Sequence, residues 1–342
     1  MKVLIVGGTG LISTAITNTL QQRGIEVTHF NRGKSQVRVP AGMPRPQVIV
    51  GDRKDFPAFE RQMAQAGRFD AVIDMVAYLP EEVESAVRAF RGRVGQYIFC
   101  STVDAYVKPY VRFPITENHP IGGLTAYGKA KARCEDVLMA AHTREFPVTI
   151  IRPAMTFGEG GHMIDLFVWN SRFLDRIARG MPIISHGDGQ SLWGALYIND
   201  IAGPFANAVG NYKAFGRAYH VTADEVQTWD QYFAGCAQAI GVPVPELVHI
   251  PTSLLVRALP KAARECAENF QFDNVFDNSA AKEDLGFRQT VSFVEAVRRT
   301  YQWLVENKKL QRNEENPLYD EILAAWRPLA DQFTHSLSGN DA

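Results

Sequence analysis

Tyr127 and Lys131 stand four residues apart in Tyr127-Gly128-Lys129-Ala130-Lys131, a spacing that puts both side chains on one face of a helix. An ammonium beside a phenol, with an oxidised nicotinamide nearby, favours phenolate and lowers a pKa that is otherwise about 10. Such a tyrosine takes the proton of a substrate hydroxyl while the carbinol hydride leaves for the nicotinamide. Lys131 has further donors for ribose hydroxyls, and Thr102, at the end of an apolar run, would hold the substrate oxygen in line. Taken alone, a Tyr and a Lys at this spacing are more often a surface pair than a site. The elements around them decide.

The first of those elements is at the N-terminus. Val3-Leu4-Ile5-Val6 is the apolar run of a strand buried on both faces, and it leads into Gly7-Gly8-Thr9-Gly10-Leu11-Ile12-Ser13. A helical pattern follows, with Leu11, Ile12, Ala15, Ile16 and Leu20 on one side. Strand, glycine turn and helix make a dinucleotide-binding unit, in which the pyrophosphate approaches bare backbone and sits at the helix N-terminus. Gly7, Thr9, Gly10, Leu11 and Ile12 are the expected cofactor contacts. Ser13 occupies the third glycine position of the pattern. The second strand, Glu26–Phe30, ends in Asn31-Arg32-Gly33 with no carboxylate for a ribose 2′-OH, so Arg32 points to NADP, with NAD kept open.

Further strands are expected at Val48–Asp52, Ala71–Ala77 and Gln96–Ser101, with helices over 56–66 and 81–90 between them. The alternation implies an α/β fold with a doubly wound parallel sheet. Asp52 ends the third strand where it could cover the adenine; Ala77 and Tyr78 end the fourth, beside the nicotinamide ribose and the substrate. Thr102 then falls at the carboxyl edge of the sheet, where such folds bind ligands.

Composition excludes several classes. The chain of 342 residues has a net charge of -1, which offers no general attraction to nucleic acid or an anionic membrane surface. Cys100, Cys134, Cys236 and Cys266 are scattered and the eight histidines show no ligand spacing, so neither a disulfide framework nor a metal site is expected. No run is long enough to span a bilayer and no leader pattern precedes the first strand, which together with the cysteine usage points to the cytoplasm.

Glycine turn, hydroxyl after the fifth strand and Tyr-x-x-x-Lys together resemble the extended short-chain dehydrogenase/reductase family, in its NAD(P)-dependent sugar epimerase/dehydratase branch. Ile150-Ile151-Arg152-Pro153 with Phe157-Gly158, His186-Gly187-Asp188-Gly189 with Leu196–Ala202, and Lys282–Phe287 are similar to further family segments. The resemblance implies a Rossmann domain over 1–165 and 190–222, a smaller C-terminal α/β substrate-binding domain over 166–189 and 223–335, and a frayed tail from 336 to 342. It implies cofactor contacts that include Pro153, substrate contacts at Tyr78, Met155 and Trp193, and a homodimer. The reaction would oxidise a carbinol carbon of a sugar-like substrate through a transient ketone.

Departures from the family narrow this. Nucleotide-sugar members carry diphosphate-clamping arginines where this chain has Trp193 and the segment Phe270–Asn274, which suggests a substrate without a nucleotide diphosphate. Trp193 would stack on a sugar ring, or else sit in a core. Arg172, Arg176 and Arg264 are the cations left to replace the clamp. After Thr102, dehydratases place an acid and then a base; Val103 removes the first and Asp104 keeps a carboxylate in the second place. Epimerisation and simple oxidoreduction both remain, since the same residues serve either. A resemblance to chloroplast stem-loop RNA-binding proteins of the same fold supplies a non-enzymatic alternative, with the near-neutral charge against it.

Overall fold

The computed structural model describes residues 1–35 and 37–338. The chain divides into two compact units. The first comprises Met1–Gly158, Gly194–Val226 and Asn274–Ser292. Its strands are β1 (Lys2–Val6), β2 (Glu26–Asn31), β3 (Gln47–Val50), β4 (Ala71–Asp74), β5 (Tyr97–Cys100) and β6 (Val148–Pro153), joined through helices α1 (Leu11–Gln22), α2 (Phe56–Ala66), α3 (Pro80–Phe90) and α4 (Ala126–Ala141). A further strand, Arg217–Val221, completes a seven-stranded sheet. From that strand the order runs β6, β5, β4, β1, β2, β3, and every pairing is parallel. The expected doubly wound α/β sheet is therefore present, with its order reversing between β1 and β4.

Both faces of the sheet are covered, so the central strands read as unbroken apolar runs. Leu4, Val6, Phe30, Phe59, Phe90, Tyr97 and Phe99 share one core cluster. Strand β4 stops at Asp74, earlier than the apolar pattern suggests, because the Asp74 carboxylate accepts the N–H groups of Val76 and Ala77 at 3.1 Å each and turns the chain. Strand β3 likewise stops at Val50, and Asp52 folds back to accept Lys54 N–H.

Residues 274–292, expected in the smaller domain, belong to the first unit. Asn278 bonds Thr222 through its amide, and the Asp200 carboxylate accepts the N–H groups of Thr290 and Val291. These side chains weld the segment to the strand and helix ends of the sheet. In the other direction, residues 159–165 and 190–193 fall in the second unit.

The second unit holds Glu159–Trp193, Gln227–Asp273 and the chain from Phe293 onward. It pairs Ile183–His186 with Leu247–Ile250 in parallel and folds Met163–Asp165 against Val168–Asn170. Its core is aromatic: Phe173, Trp229, Tyr232, Phe233 and Phe270 are all buried. The last helix runs Leu318–Leu337, so Ser336 and Leu337, expected to fray, are helical; residues 339–342 lie outside the described residues.

Asp165 closes the hairpin strand with its carboxylate buried, accepting Phe167 N–H and the Asn170 amide. Burial pushes its pKa up to about 6. The folded state then holds a proton that the unfolded chain releases near 4, so the associated stability is full below about pH 4 and lost as pH rises through about 6. Urea unfolding of the wild type should show that decline, on the order of 2–3 kcal/mol, and Asp165→Asn should flatten it.

Candidate active site

The glycine turn has the shape an anion needs. Gly7 adopts φ +86°, and a Cβ there would stand 2.3 Å from a Val76 methyl, so only glycine fits. Gly10 caps α1 with nothing closer than Ser13 Oγ at 3.4 Å from its would-be Cβ. Ser13 stands in for the missing third glycine by local bonding, accepting Gly10 N–H at 2.8 Å and donating to Gly10 O at 3.2 Å. The first turn of α1, with Leu11 and Ile12, carries no acidic side chain. Bare backbone and an uncountered helix N-terminus fit a dinucleotide pyrophosphate. Thr9 is half-buried in the same turn.

At the far end of β2, Asn31 accepts Gly33 N–H at 2.8 Å and Arg32 is exposed. Asp52 is exposed beyond β3. The loop after β4 is braced from below. Asp74 is wholly buried in an ion pair with Arg53 and accepts the Tyr97 hydroxyl at 2.6 Å. Burial works against its charge, but Arg53 and these hydrogen bonds hold its carboxyl below the usual range. Arg53 also donates to Glu82 O, and Glu82 accepts the N–H groups of Tyr78 and Leu79 at 2.6 and 3.0 Å. Asp74 thus holds Ala77 and Glu82 holds Tyr78, with Arg53 and Tyr97 bracing Asp74 from behind. Arg53 and Asp74 escaped sequence reasoning because a lone arginine in a loop and a strand-end aspartate carry no spacing signal.

Lys131 is 1 % exposed. Its ammonium donates to Ala77 O at 2.9 Å and Cys100 O at 2.6 Å and lies 4.2 Å from the Phe99 ring centroid. It therefore ties α4 to the ends of β4 and β5. Burial lowers its pKa, and the same burial pushes the adjoining Cys100 thiol up to about 11.

Tyr127, one turn earlier on α4, has its ring 6.3 Å from that of Tyr78. Its phenol is pushed up by burial and by Cys100 and Tyr78, with the Thr102 side chain acting in the opposite direction. Lys131 does not offset that push here; its ammonium lies against the Ala77 and Cys100 carbonyls. With Tyr127 44 % exposed, water screens part of the upward push.

Both carboxylate oxygens of Asp104, the expected base, are engaged by neighbouring side chains. Its Oδ1 pairs with Lys108 Nζ at 2.8 Å and its Oδ2 accepts Thr125 Oγ1 at 2.5 Å. Thr125 in turn caps α4, accepting Gly128 N–H at 2.7 Å. Asp104 thus sets the start of the Tyr127 helix. Gly128 makes the approach possible: a Cβ there would stand 2.1 Å from Asp104 O.

Of the remaining candidates, Pro153 is the last residue of β6, and Met155 is 5 % exposed in a strand paired with Ala195–Tyr197. Trp193, in the second unit, is 5 % exposed. Its ring stacks on Trp229 with centroids 5.2 Å apart and meets Phe270 edge-on. Placed there it is a core tryptophan with no open face for a sugar, because the neighbouring aromatics offer it more apolar contact than a strand edge would. Arg176 is likewise spent, bonded to Asn313 and Asp320 at 2.7 and 2.6 Å, and exposed Arg264 pairs with Glu265 and Glu268. Among the described residues no group of three His, Cys, Asp or Glu side chains is arranged for a metal, and no helix is long and apolar enough to cross a membrane.

The profile of the NAD dependent epimerase/dehydratase family matches residues 3–221, from β1 through the seventh strand of the sheet. The chain belongs to that family. Relatives include the chloroplast stem-loop binding protein of 41 kDa b of Arabidopsis thaliana, 28% identical over 310 residues covering 88% of this chain and 78% of that one. The 2′-dehydrokanamycin reductase of Streptomyces kanamyceticus is 25% identical over 278 residues, 81% of this chain and 77% of that one. Among solved structures, UDP-glucose 4-epimerase from Bifidobacterium longum with NAD+ and UDP superposes with a TM-score of 0.69 at 19% identity, covering 91% of this chain and all of that one. The dTDP-glucose 4,6-dehydratase of Bacillus anthracis with NAD gives 0.72 at 14%, covering 90% and 98%. Membership in the epimerase/dehydratase family carries NAD(P) dependence in general, and epimerases, dehydratases and reductases all occur among its members.

A Gly128→Ala change tests whether close packing of α4 sets the site. The added methyl meets backbone that cannot yield, so unfolding free energy should fall by about 1–3 kcal/mol in a urea titration. Turnover should fall about tenfold or more beyond any unfolded fraction, since Tyr127 and Thr102 part.

Proposed function

We propose that this protein is an NAD(P)-dependent oxidoreductase or epimerase acting on the carbinol carbon of a neutral, sugar-like substrate. The observation that carries the reading is the placement of α4: its buried Lys131 bonds the ends of β4 and β5, and Tyr127 stands one turn earlier on the same helix, with Thr102 just past β5. When bound, the nicotinamide supplies hydride acceptance and return. Thr102 orients the reacting hydroxyl, Tyr127 takes its proton and gives it back, and Lys131 offers its remaining N–H to a ribose hydroxyl. Tyr127 and Lys131 with Ala77, Tyr78 and Pro153 would line the nicotinamide end, and Gly7, Thr9, Gly10, Leu11 and Ile12 the pyrophosphate. Asn31, Arg32 and Asp52 would frame the adenosine.

Arg32, with no carboxylate at the end of β2, favours NADP over NAD. The loss of both clamping arginines, with Arg176 and Arg264 committed elsewhere, favours a substrate without a nucleotide diphosphate. The reductase acting on 2′-dehydrokanamycin, a glycoside, is a relative consistent with that class. The stem-loop binding relative supports a second reading as an RNA binder. A gel shift that weakens steeply with salt would favour it over the enzyme.

Tyr127→Phe should lower turnover about 10³-fold on neutral sugars or their keto forms, followed by nicotinamide absorbance, with dinucleotide affinity nearly unchanged. Full activity in that variant removes Tyr127 from the chemistry. Dinucleotide released from the purified protein by denaturation separates the two outcomes: stoichiometric retained cofactor marks an epimerase, and exchangeable NADP or NAD a reductase. NADP should bind more tightly than NAD, and Arg32→Ala should narrow the gap.

A further inference from the structure

Directly beneath the glycine turn lies His29, in the middle of β2 and wholly buried. Its ring is pressed against the turn: a Cβ on Gly8 would stand 2.3 Å from His29 Cγ and 2.4 Å from Nδ1. The other nitrogen, Nε2, is 2.8 Å from Thr17 Oγ1. Thr17 spends its own proton on Ser13 O, at 2.7 Å, so its oxygen can only accept from His29. Nε2 therefore carries the hydrogen and Nδ1 the lone pair. That lone pair is inaccessible to solvent and has no hydrogen-bond partner.

A buried, unpartnered acceptor costs free energy unless something completes it. Thr17 approaches the ring from α1, and Ile5 and Val48 flank it on β1 and β3. Burial alone holds its titration near 4, with no charged side chain among the described residues shifting it. An anion on the turn would be the first charge His29 meets, and an opposite charge close by favours the protonated ring.

We propose that His29 takes up one solvent proton at Nδ1 when a dinucleotide pyrophosphate seats on the Gly7–Gly10 turn, making cofactor binding proton-coupled. This rests on the dinucleotide reading above. His29 is a positioning residue, placing a positive charge under the turn where the family pattern has only backbone.

The proportion of protons bound per NAD is read by calorimetry near pH 6.5 in two buffers of different ionisation heat. NAD is the probe because it has no group titrating between about pH 5 and 9, unlike the 2′-phosphate of NADP. About one proton should enter per NAD, and affinity should weaken about tenfold per pH unit from about pH 5 up to the bound-state pKa. In ¹⁵N-histidine-labelled protein, one Nδ1 resonance should move from the unprotonated to the protonated range on NAD addition. His29→Gln should bind NAD with no proton uptake and a flat pH profile. Binding with no proton uptake in the wild type overturns the inference alone, as does uptake that survives in His29→Gln. Failure of both NAD and NADP to bind overturns the dinucleotide reading itself. If His29→Gln does not fold, the two wild-type measurements decide.

Discussion

An ammonium buried to 1 % exposure is the constraint on which the site depends. Lys131 can remain charged there only if its donors are met, and the carbonyls of Ala77 and Cys100 meet two of them. Satisfying that one group fixes three things together: the turn after β4, the end of β5 and the rotation of α4. Tyr127, one turn before Lys131 on the same helix, takes its place as a consequence. The aromatic rings of Phe99 and Tyr78 at 4.2 and 5.3 Å add cation–π attraction at little cost in area.

A second layer of buried charge supports the first. Asp74 and Arg53 form an ion pair that also bonds Tyr97, Val76, Ala77 and Glu82 O, with Arg53 Nε alone left unpartnered. Removing one partner from such a pair leaves an uncompensated charge, whereas the complete network costs little. Asp104 acts the same way on the other side, linking Lys108 to the cap of α4. Behind the β5 end, Arg152 and Glu135 make a further buried pair that also takes up Ser101. Buried ion pairs thus brace the carboxyl edge of the sheet.

The second unit follows another logic. Its interior is held by stacked rings around Trp229, and Phe270 O accepts from His186, Ser191 and Trp229. Arg176 is enclosed against Tyr319, its guanidinium 4.3 Å from the ring, and fastens the final helix. Arg176 and Trp193 serve in this unit as structural parts.

Sequence by itself determined the sheet, the glycine turn and the Tyr127, Lys131 and Thr102 set, because local pattern encodes each: apolar runs, glycine before a helix, four-residue helical spacing. Tertiary structure alone decided the roles of Asp104, Trp193 and Arg176. Whether a carboxylate, an indole or a guanidinium serves chemistry or packing depends on which distant groups meet it, and spacing along the chain does not record that. The same holds for Arg53 with Asp74, twenty-one residues apart, and for His29, whose tautomer is set by Thr17. Burial and partnership arise between elements, so only the folded chain could assign them.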